Sequence, residues 1–376
     1  MPGLIVHEWI EQHGGAEQVL TKLADYLPLA DILCLWNDDP KRFRERHVTE
    51  SILARTPFRN HKAAALPIMP FVWRKVDTEP YDWAMISTHL FAHHVRLSGG
   101  SKTSMKFAYV HTPARYIWAP ELDSRGRSLP VRMLSVPLRR LDASRAKELT
   151  KVAANSQFVS RRIETTWERE STVIYPPVSV ERIKSVERWR DHLNVAEEKV
   201  FDGLPDEFVL GASRLVMYKM LDHVIRVGKR AQLPVVIVGD GPDLPRLKTI
   251  ANEEKIECYF VGSVSDRLLY SLFQSCSVYV FPPVEDFGII PVEAMAAGAP
   301  VIANRRGGAS ESVVHGVTGA LTSFSSNSEI DEALRLAAKC RTSDSLQRAE
   351  DFSEARFRRE LGSWAPEVFG TSSVGK

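Results

Sequence analysis

Two acidic residues eight positions apart, Glu285 and Glu293, flank a glycine-containing turn in the stretch VEDFGIIPVEAMAAGAPVIANRRGGASE. The stretch follows the apolar run SVYVF and two prolines, Pro282 and Pro283, which places it beyond the carboxyl end of a predicted strand. Pro291 suits the first position of a helix, where its missing N–H leaves no bond unmade, and Gly298 suits a left-handed stop. Backbone N–H groups of Gly288, Ile289 and Ile290 would face any anion at that helix start, so a diphosphate could sit there with the helix dipole behind it. Glu293 could then accept hydrogen bonds from a diol such as a ribose, and Glu285 from a second sugar. The alternative for Glu293 is an ordinary first-turn acid that satisfies the helix terminus.

Two cations stand where a diphosphate would need them. SRLVMYK follows the apolar run 208–212, which puts Arg214 and Lys219 past a strand's carboxyl end, as phosphate ligands or as a solvated loop pair. GDGP, with Gly239, Asp240 and Gly241, follows the run 235–238 in the same way, but Leu244 stands where a dinucleotide fingerprint requires glycine. Nearer the amino end, Gly14, Gly15, Ala16 and Glu17 turn a first strand into a helix, a second point of close approach for phosphate or sugar. His111, in YVHTP, again lies past a strand end, held by Pro113, and serves either the ligand or the structure. Metal motifs fail: His7 and Glu8 begin HExxH but Glu11 replaces the second histidine, and Asp38–Asp39 is not DxD.

These residues need strand ends to hold them, and the chain supplies many. LIVHEW, a glycine pair and AEQVLTKLADYL read as strand, turn and amphipathic helix, with Val19, Leu20, Leu23 and Leu27 at helical spacing. Apolar runs at 30–36, 83–87 and 106–111 continue the pattern, and Pro176–Pro177 is a hinge that can neither extend a helix nor join a central strand. The second half predicts strands at 208–212, 235–238, 259–261, 278–281 and 301–303, and helices at 221–230, 244–254, 266–274, 291–297 and 329–339. Such alternation means two doubly wound α/β domains, 1–177 and 178–344, with ligands beyond the strands' carboxyl ends in the cleft between them. A charged helix within about 345–370 is expected to pack back on the first domain, ahead of a frayed tail.

The 376 residues carry 49 basic and 47 acidic side chains, a net charge of +2 that argues against a nucleic-acid binder. That balance is a cancellation: residues 1–180 hold 25 basic against 19 acidic side chains, and the remainder 24 against 28. Residues 125–169 alone hold 11 basic and 4 acidic side chains, a candidate docking face for something anionic. Four scattered cysteines suggest a reducing compartment. The amino terminus reads as neither signal peptide nor anchor, and no run approaches ~20 apolar residues. A cytoplasmic protein is expected, with any membrane contact peripheral.

In these motifs the sequence resembles glycosyltransferase family 4, the retaining sugar-nucleotide transferases of GT-B fold. The residues that carry the resemblance are GGAE (14–17), YVHTPARY (109–116), ANSQFVSRRI (154–163), VIYPPV (173–178), SRLVMYK (213–219), VGDGP (238–242), EDFGIIPVEAMAAG (285–298) and GGASESVVHGVTG (307–319). Within the family the wording is most similar to bacterial O-antigen and exopolysaccharide mannosyltransferases, which implies GDP-mannose as donor and a lipid-linked saccharide as acceptor. The alternatives are a UDP-sugar donor or a non-catalytic sugar-nucleotide binder. The resemblance implies that Arg214 and Lys219 neutralise the diphosphate, and that Glu285 and the backbone of Phe287 to Ile290 hold sugar and phosphate. It also assigns Glu293 to the ribose, Gly15 to close approach at the diphosphate, and His111 to the donor sugar near its anomeric carbon. It implies no metal and no cofactor. Met217 and Met220 depart from the family's usual Pro and Arg. Arg132, Arg139, Arg140, Arg145 and Lys147 would then draw a polyprenyl-diphosphate acceptor or the anionic inner face of the plasma membrane, or form a solvated helix face. The apolar segment 66–73 would line an acceptor groove or belong to the core. A nicotinamide dehydrogenase would share the architecture but lacks its glycine fingerprint here.

Overall fold

In the computed structural model, residues 2–12, 14–98, 104–119 and 129–369 are described. The apolar runs pair in parallel into two sheets. The first has the order β3-β2-β1-β4-β5-β6-β7, from β1 (Gly3–His7), β2 (Asp31–Cys34), β3 (Val48–Glu50), β4 (Trp83–Thr88), β5 (Met105–Val110), β6 (Lys151–Ala154) and β7 (Thr172–Val173). The second has the order β10-β9-β8-β11-β12-β13, from β8 (Val209–Ala212), β9 (Val235–Val238), β10 (Cys258–Gly262), β11 (Val278–Phe281), β12 (Val301–Asn304) and β13 (Gly319–Thr322). The chain divides into one unit of Met1–Pro177 with Phe357–Lys376 and another of Val178–Arg356.

Both faces of the first sheet are covered, which explains why its strands read as unbroken apolar runs. Successive side chains point to opposite faces. Leu4, Val6, Ala84, Ile86, Ala108 and Val110 therefore enter one core cluster. Their neighbours Ile5, Trp83, Met85, Phe107 and Tyr109 enter another. The second cluster is closed by Val19, Leu20 and Leu23 of the helix Gly15–Tyr26 and by Phe357, Leu361 and Trp364 of the helix Glu354–Trp364. Segment 66–73 is core: Leu66, Met69 and Trp73 are buried, and Phe71 is exposed. The tail 370–376 lies outside the described residues.

Four strands carry no strong signal in the sequence. β3 and β7 are edge strands of three and two residues, Lys151–Ala154 is alanine-rich, and Gly319–Thr322 opens on a glycine. That glycine is sterically required: a Cβ at Gly319 would stand 1.9 Å from the Val301 carbonyl oxygen. Helix 291–297 is corrected to Ile289–Ala296. Proline is tolerated at its third position because the first turn's N–H groups have no intrahelical acceptor, and the left-handed stop falls at Gly298, with φ 94°.

Candidate functional site

In the second unit the chain order reverses between β8 and β11, the place where open parallel sheets bind ligands. The loop after β8 carries Arg214 and ends in the short helix Met217–Lys219. The loop after β11 carries Glu285. Lys219 Nζ and the Glu285 carboxylate form an ion pair, with side chains only 13% and 23% exposed. The fold thus brings together a cation and an acid that are 66 residues apart. Arg214 is exposed and donates to the Tyr218 hydroxyl at 2.8 Å.

Glycines hold these loops in place. Gly288 precedes the helix Ile289–Ala296 with φ 91°, a conformation that side chains rarely adopt. The Gly308 N–H donates to the Glu285 carbonyl at 2.7 Å. A Cβ at Gly308 would lie 2.1 Å from the Asp286 carbonyl oxygen, so only glycine lets the segment after β12 clasp the 285–287 loop. Asn304 adds a hydrogen bond from Nδ2 to the Pro282 carbonyl at 2.8 Å. Sequence reasoning gave Asn304, Gly307 and Gly308 no site role, although the glycine pair opens the motif 307–319. Gly239 and Gly241 serve the loop that carries Arg214: a Cβ at Gly239 would stand 1.9 Å from the Ser213 oxygen, and one at Gly241 would stand 2.3 Å from the Leu215 oxygen. Asp240 accepts from the Ser263 N–H at 2.8 Å. The Phe287 ring is buried, its centroid 5.6 Å from that of Phe352, so what it can offer a ligand is its backbone.

Glu293 is the fifth residue of its helix, beyond the first turn, and makes no capping bond. The first-turn reading therefore falls. Among the described residues no hydrogen bond or ion pair reaches its carboxylate. Burial, reinforced by Asp266 and opposed by Arg182, raises its pKa to about 7. Arg182 is itself engaged, 2.6 Å from the Asp266 carboxylate and 3.0 Å from the Tyr270 hydroxyl. A carboxyl whose pKa burial raises, and which has no partner among the described residues, is poised to receive donors from a ligand.

In the first unit the corresponding edge lies between β1 and β4, beside β5. His111 follows β5, partly exposed, with Nε2 2.8 Å from the Ser87 hydroxyl. Glu8 follows β1 and is fully buried. Its Oε1 accepts from the Thr88 hydroxyl at 2.6 Å and from the N–H groups of His89, Leu90 and Ala92 at 3.1, 2.8 and 3.0 Å. Burial alone would raise its pKa, but His89, His7 and these donors bring it to about 2. Glu8 therefore anchors the loop after β4. Seen only as the start of a failed metal motif, it was missed, although its place past a strand end was legible. Gly14 is extended and leaves room for Glu17, whose Oε2 would lie 2.0 Å from a Cβ there; Gly15 opens the helix.

A second buried carboxylate, also missed, is Asp142 in the helix Leu129–Ala146. Its Oδ2 accepts from the indole N–H groups of Trp118 and Trp167, each at 2.7 Å, while His94 Nε2 lies 3.0 Å and His93 Nε2 3.2 Å from Oδ1. His93, His94 and Asp142 offer atoms within 4.8 Å of one another, a metal-like set. With both indoles on the carboxylate, the cluster works as a hydrogen-bonded anchor for the helix.

Three cations of the basic stretch have partners within the protein. Arg139 donates to the Ile117 carbonyl at 2.5 Å, Arg145 pairs with Glu148 at 2.8 Å, and Lys147 lies 3.8 Å from Glu168. Arg140 is exposed. The side chain of Arg132 and residues 120–128 lie outside the described part. Among the described residues no helix is long and apolar enough to cross a membrane.

Residues 196–358 match the family model for glycosyl transferases group 1. An uncharacterized glycosyltransferase of Methanocaldococcus jannaschii is 31% identical over 145 residues, 35% of this chain and 37% of that protein. A GDP-mannose-dependent alpha-(1-6)-phosphatidylinositol monomannoside mannosyltransferase of Mycobacterium tuberculosis is 34% identical over 141 residues, 34% of this chain and 37% of that protein. The matches span 30% to 57% of the first curated relatives' length. The crystal structure of Anabaena HepE in complex with UDP superposes with a TM-score of 0.72 at 20% identity, covering 98% of this chain and 100% of that one. The fold is that of GT-B glycosyltransferases, two parallel-sheet Rossmann-like units, and nearly all of the stretch that matches the group 1 glycosyl transferase model lies in the second unit.

Proposed function

For a chain whose second unit matches the group 1 glycosyl transferase model, we propose a retaining hexosyltransferase that moves mannose from GDP-mannose to a lipid-linked saccharide in bacterial surface polysaccharide synthesis. The observation that carries this reading is the Lys219–Glu285 pair beside the open helix start at Gly288, with the unpartnered carboxyl of Glu293 on the same helix. Cleaving the bond between anomeric carbon and phosphate leaves negative charge on the diphosphate and an oxocarbenium-like sugar. Lys219, Arg214 and the N–H groups at the helix start are fixed positive partners for that charge. Glu285 orders Lys219 and meets the sugar hydroxyls, Glu293 meets the ribose diol, and His111 is assigned to the transferred sugar. No side chain of the motifs is placed as a covalent nucleophile. The acceptor hydroxyl attacks on the face the diphosphate leaves, and the leaving phosphate takes its proton. The role needs no metal, because the protein's own cations neutralise the leaving group.

The mannose assignment draws on the mycobacterial relative, which is named GDP-mannose-dependent. A UDP-sugar reading draws on HepE, which was solved with UDP. A panel of GDP-, UDP- and ADP-sugars, read by thermal shift and by donor turnover, separates them. GDP-mannose is expected to raise the melting temperature and to be consumed. Binding without turnover would identify a silent nucleotide-sugar binder, and stabilisation by NAD alone would overturn the transferase.

A further inference from the structure

Three cations share one carboxylate at the amino end of β5. Lys106, the second residue of that strand, lies on the face where Ala108 and Val110 go on into the core, so it is the charged end of an apolar row and is itself buried. Its Nζ donates to the His93 carbonyl at 2.9 Å and lies 3.3 Å from Glu148 Oε2. Arg74, which follows the helix Met69–Trp73, donates from Nη1 to the same oxygen at 2.7 Å. Arg145, in the last turn of the helix Leu129–Ala146, donates from Nη1 to Glu148 Oε1 at 2.8 Å. Among the described residues no other carboxylate pairs with these three cations, so three positive charges stand against one negative. The helix end does not need them: Arg169 donates to the carbonyls of Ala146, Lys147 and Leu149 at 3.4, 3.4 and 2.9 Å. Each arginine spends one nitrogen of its planar fork on Glu148. The other N–H groups of both forks meet no acceptor among the described residues, and Arg145 Nε is shut off from water as well. Burial, opposed by Glu148 and reinforced by Arg74 and Arg145, lowers the pKa of Lys106 to about 8, so the surplus weighs on a desolvated ammonium.

We propose that Arg74, Lys106 and Arg145 bind a phosphate dianion, free or as a phosphomonoester, with Glu148 holding the three cations in place. A dianion matches the surplus of two charges. The oxygens of a phosphate are spaced much like those of a carboxylate, so two guanidinium groups that flank one can grip the other through the nitrogens Glu148 leaves unused. Lys106 adds a point charge behind them. Arg74 and Arg145 are partly exposed and Glu148 is exposed, so the cluster opens to solvent on one side. The site stands apart from the chemistry assigned to His111: Lys106 and His111 are five residues apart at opposite ends of one strand, roughly 16 Å of extended chain. It does not rest on the transferase reading. Bound there, the anion ties the end of the helix Leu129–Ala146 to β5 and to the segment after Met69–Trp73, and a ligand that binds only the folded chain stabilises it.

The test uses the full chain and inorganic phosphate, with thermal unfolding and titration calorimetry as readouts and chloride at equal ionic strength as the control for screening. Phosphate is expected to raise Tm in a saturable way that chloride does not match. Arg74→Gln and Arg145→Gln should each weaken phosphate binding about tenfold, the loss of one charge-assisted hydrogen bond. Glu148→Gln should tighten it by a similar factor, because the surplus grows from two charges to three, and a gain of affinity cannot come from a damaged fold. No rise in Tm, or a rise that chloride matches, would overturn the proposal. So would unchanged affinity in both arginine variants, or weaker binding in Glu148→Gln. Vesicles of phosphatidylcholine with and without phosphatidic acid then separate the sources of the phosphate. Sedimentation with the phosphatidic acid vesicles that inorganic phosphate reverses assigns the site to a lipid headgroup, and phosphate binding without sedimentation assigns it to a soluble phosphate.

Discussion

Replacing Glu293 by glutamine tests the second unit's site without any knowledge of the substrate. The carboxyl's pKa is raised from 4.5 to about 7, chiefly by burial. Because the folded value is the higher one, this group's contribution to stability is complete below the unfolded pKa and is lost as pH rises through the folded pKa. At 1.36 kcal/mol per pKa unit, the full loss is roughly 3 kcal/mol, most of it incurred between pH 5 and 7. Glutamine resembles the protonated acid at every pH. In urea unfolding followed by circular dichroism, the variant should therefore gain about 2 kcal/mol on wild type between pH 5.5 and pH 8.5. A nucleotide supplies the missing donors through its ribose, so the stabilisation it confers should grow with pH in wild type and stay flat in Glu293→Gln. Stability curves that run parallel across this range would refute the reasoning, because the carboxyl would then be solvated and unavailable for the role assigned to it.

Two further substitutions probe Lys219 and the buried Asp142. Lys219→Ala removes the cation nearest the loop after β11 and should lower donor turnover by ~10²-fold, the scale of a lost preorganised donor in an anion-stabilising site. Near wild-type rates would remove Lys219 from the diphosphate. Asp142→Ala orphans two indole donors, so it should destabilise the protein by about 3 kcal/mol or more in urea unfolding. A loss below about 1 kcal/mol would mean that solvent already reaches the cluster.

What the sequence alone determined is what local chemistry encodes. An unbroken apolar run bounded by Gly, Pro or a polar turn is a strand buried on both faces, and the residue after it must stand at the sheet's edge. By that rule Arg214, Glu285 and His111 could be placed at strand ends before any coordinate was known. The extent of the helix that carries Glu293 was nearly legible too, off by two residues at its start because proline is tolerated anywhere in the first turn. Short edge strands such as Val48–Glu50 escaped because two or three residues carry no period. The tertiary structure decided which of the charged residues meet. The pairing of Lys219 with Glu285, the four donors on Glu8, the indoles on Asp142 and the solitude of Glu293 each join or isolate groups far apart in the chain. Composition showed a basic stretch, but only packing showed that Arg139, Arg145 and Lys147 already have partners nearby. Burial makes the difference: a charged residue's type says what it could do, and its desolvation and its neighbours, which long-range folding alone creates, say whether it can.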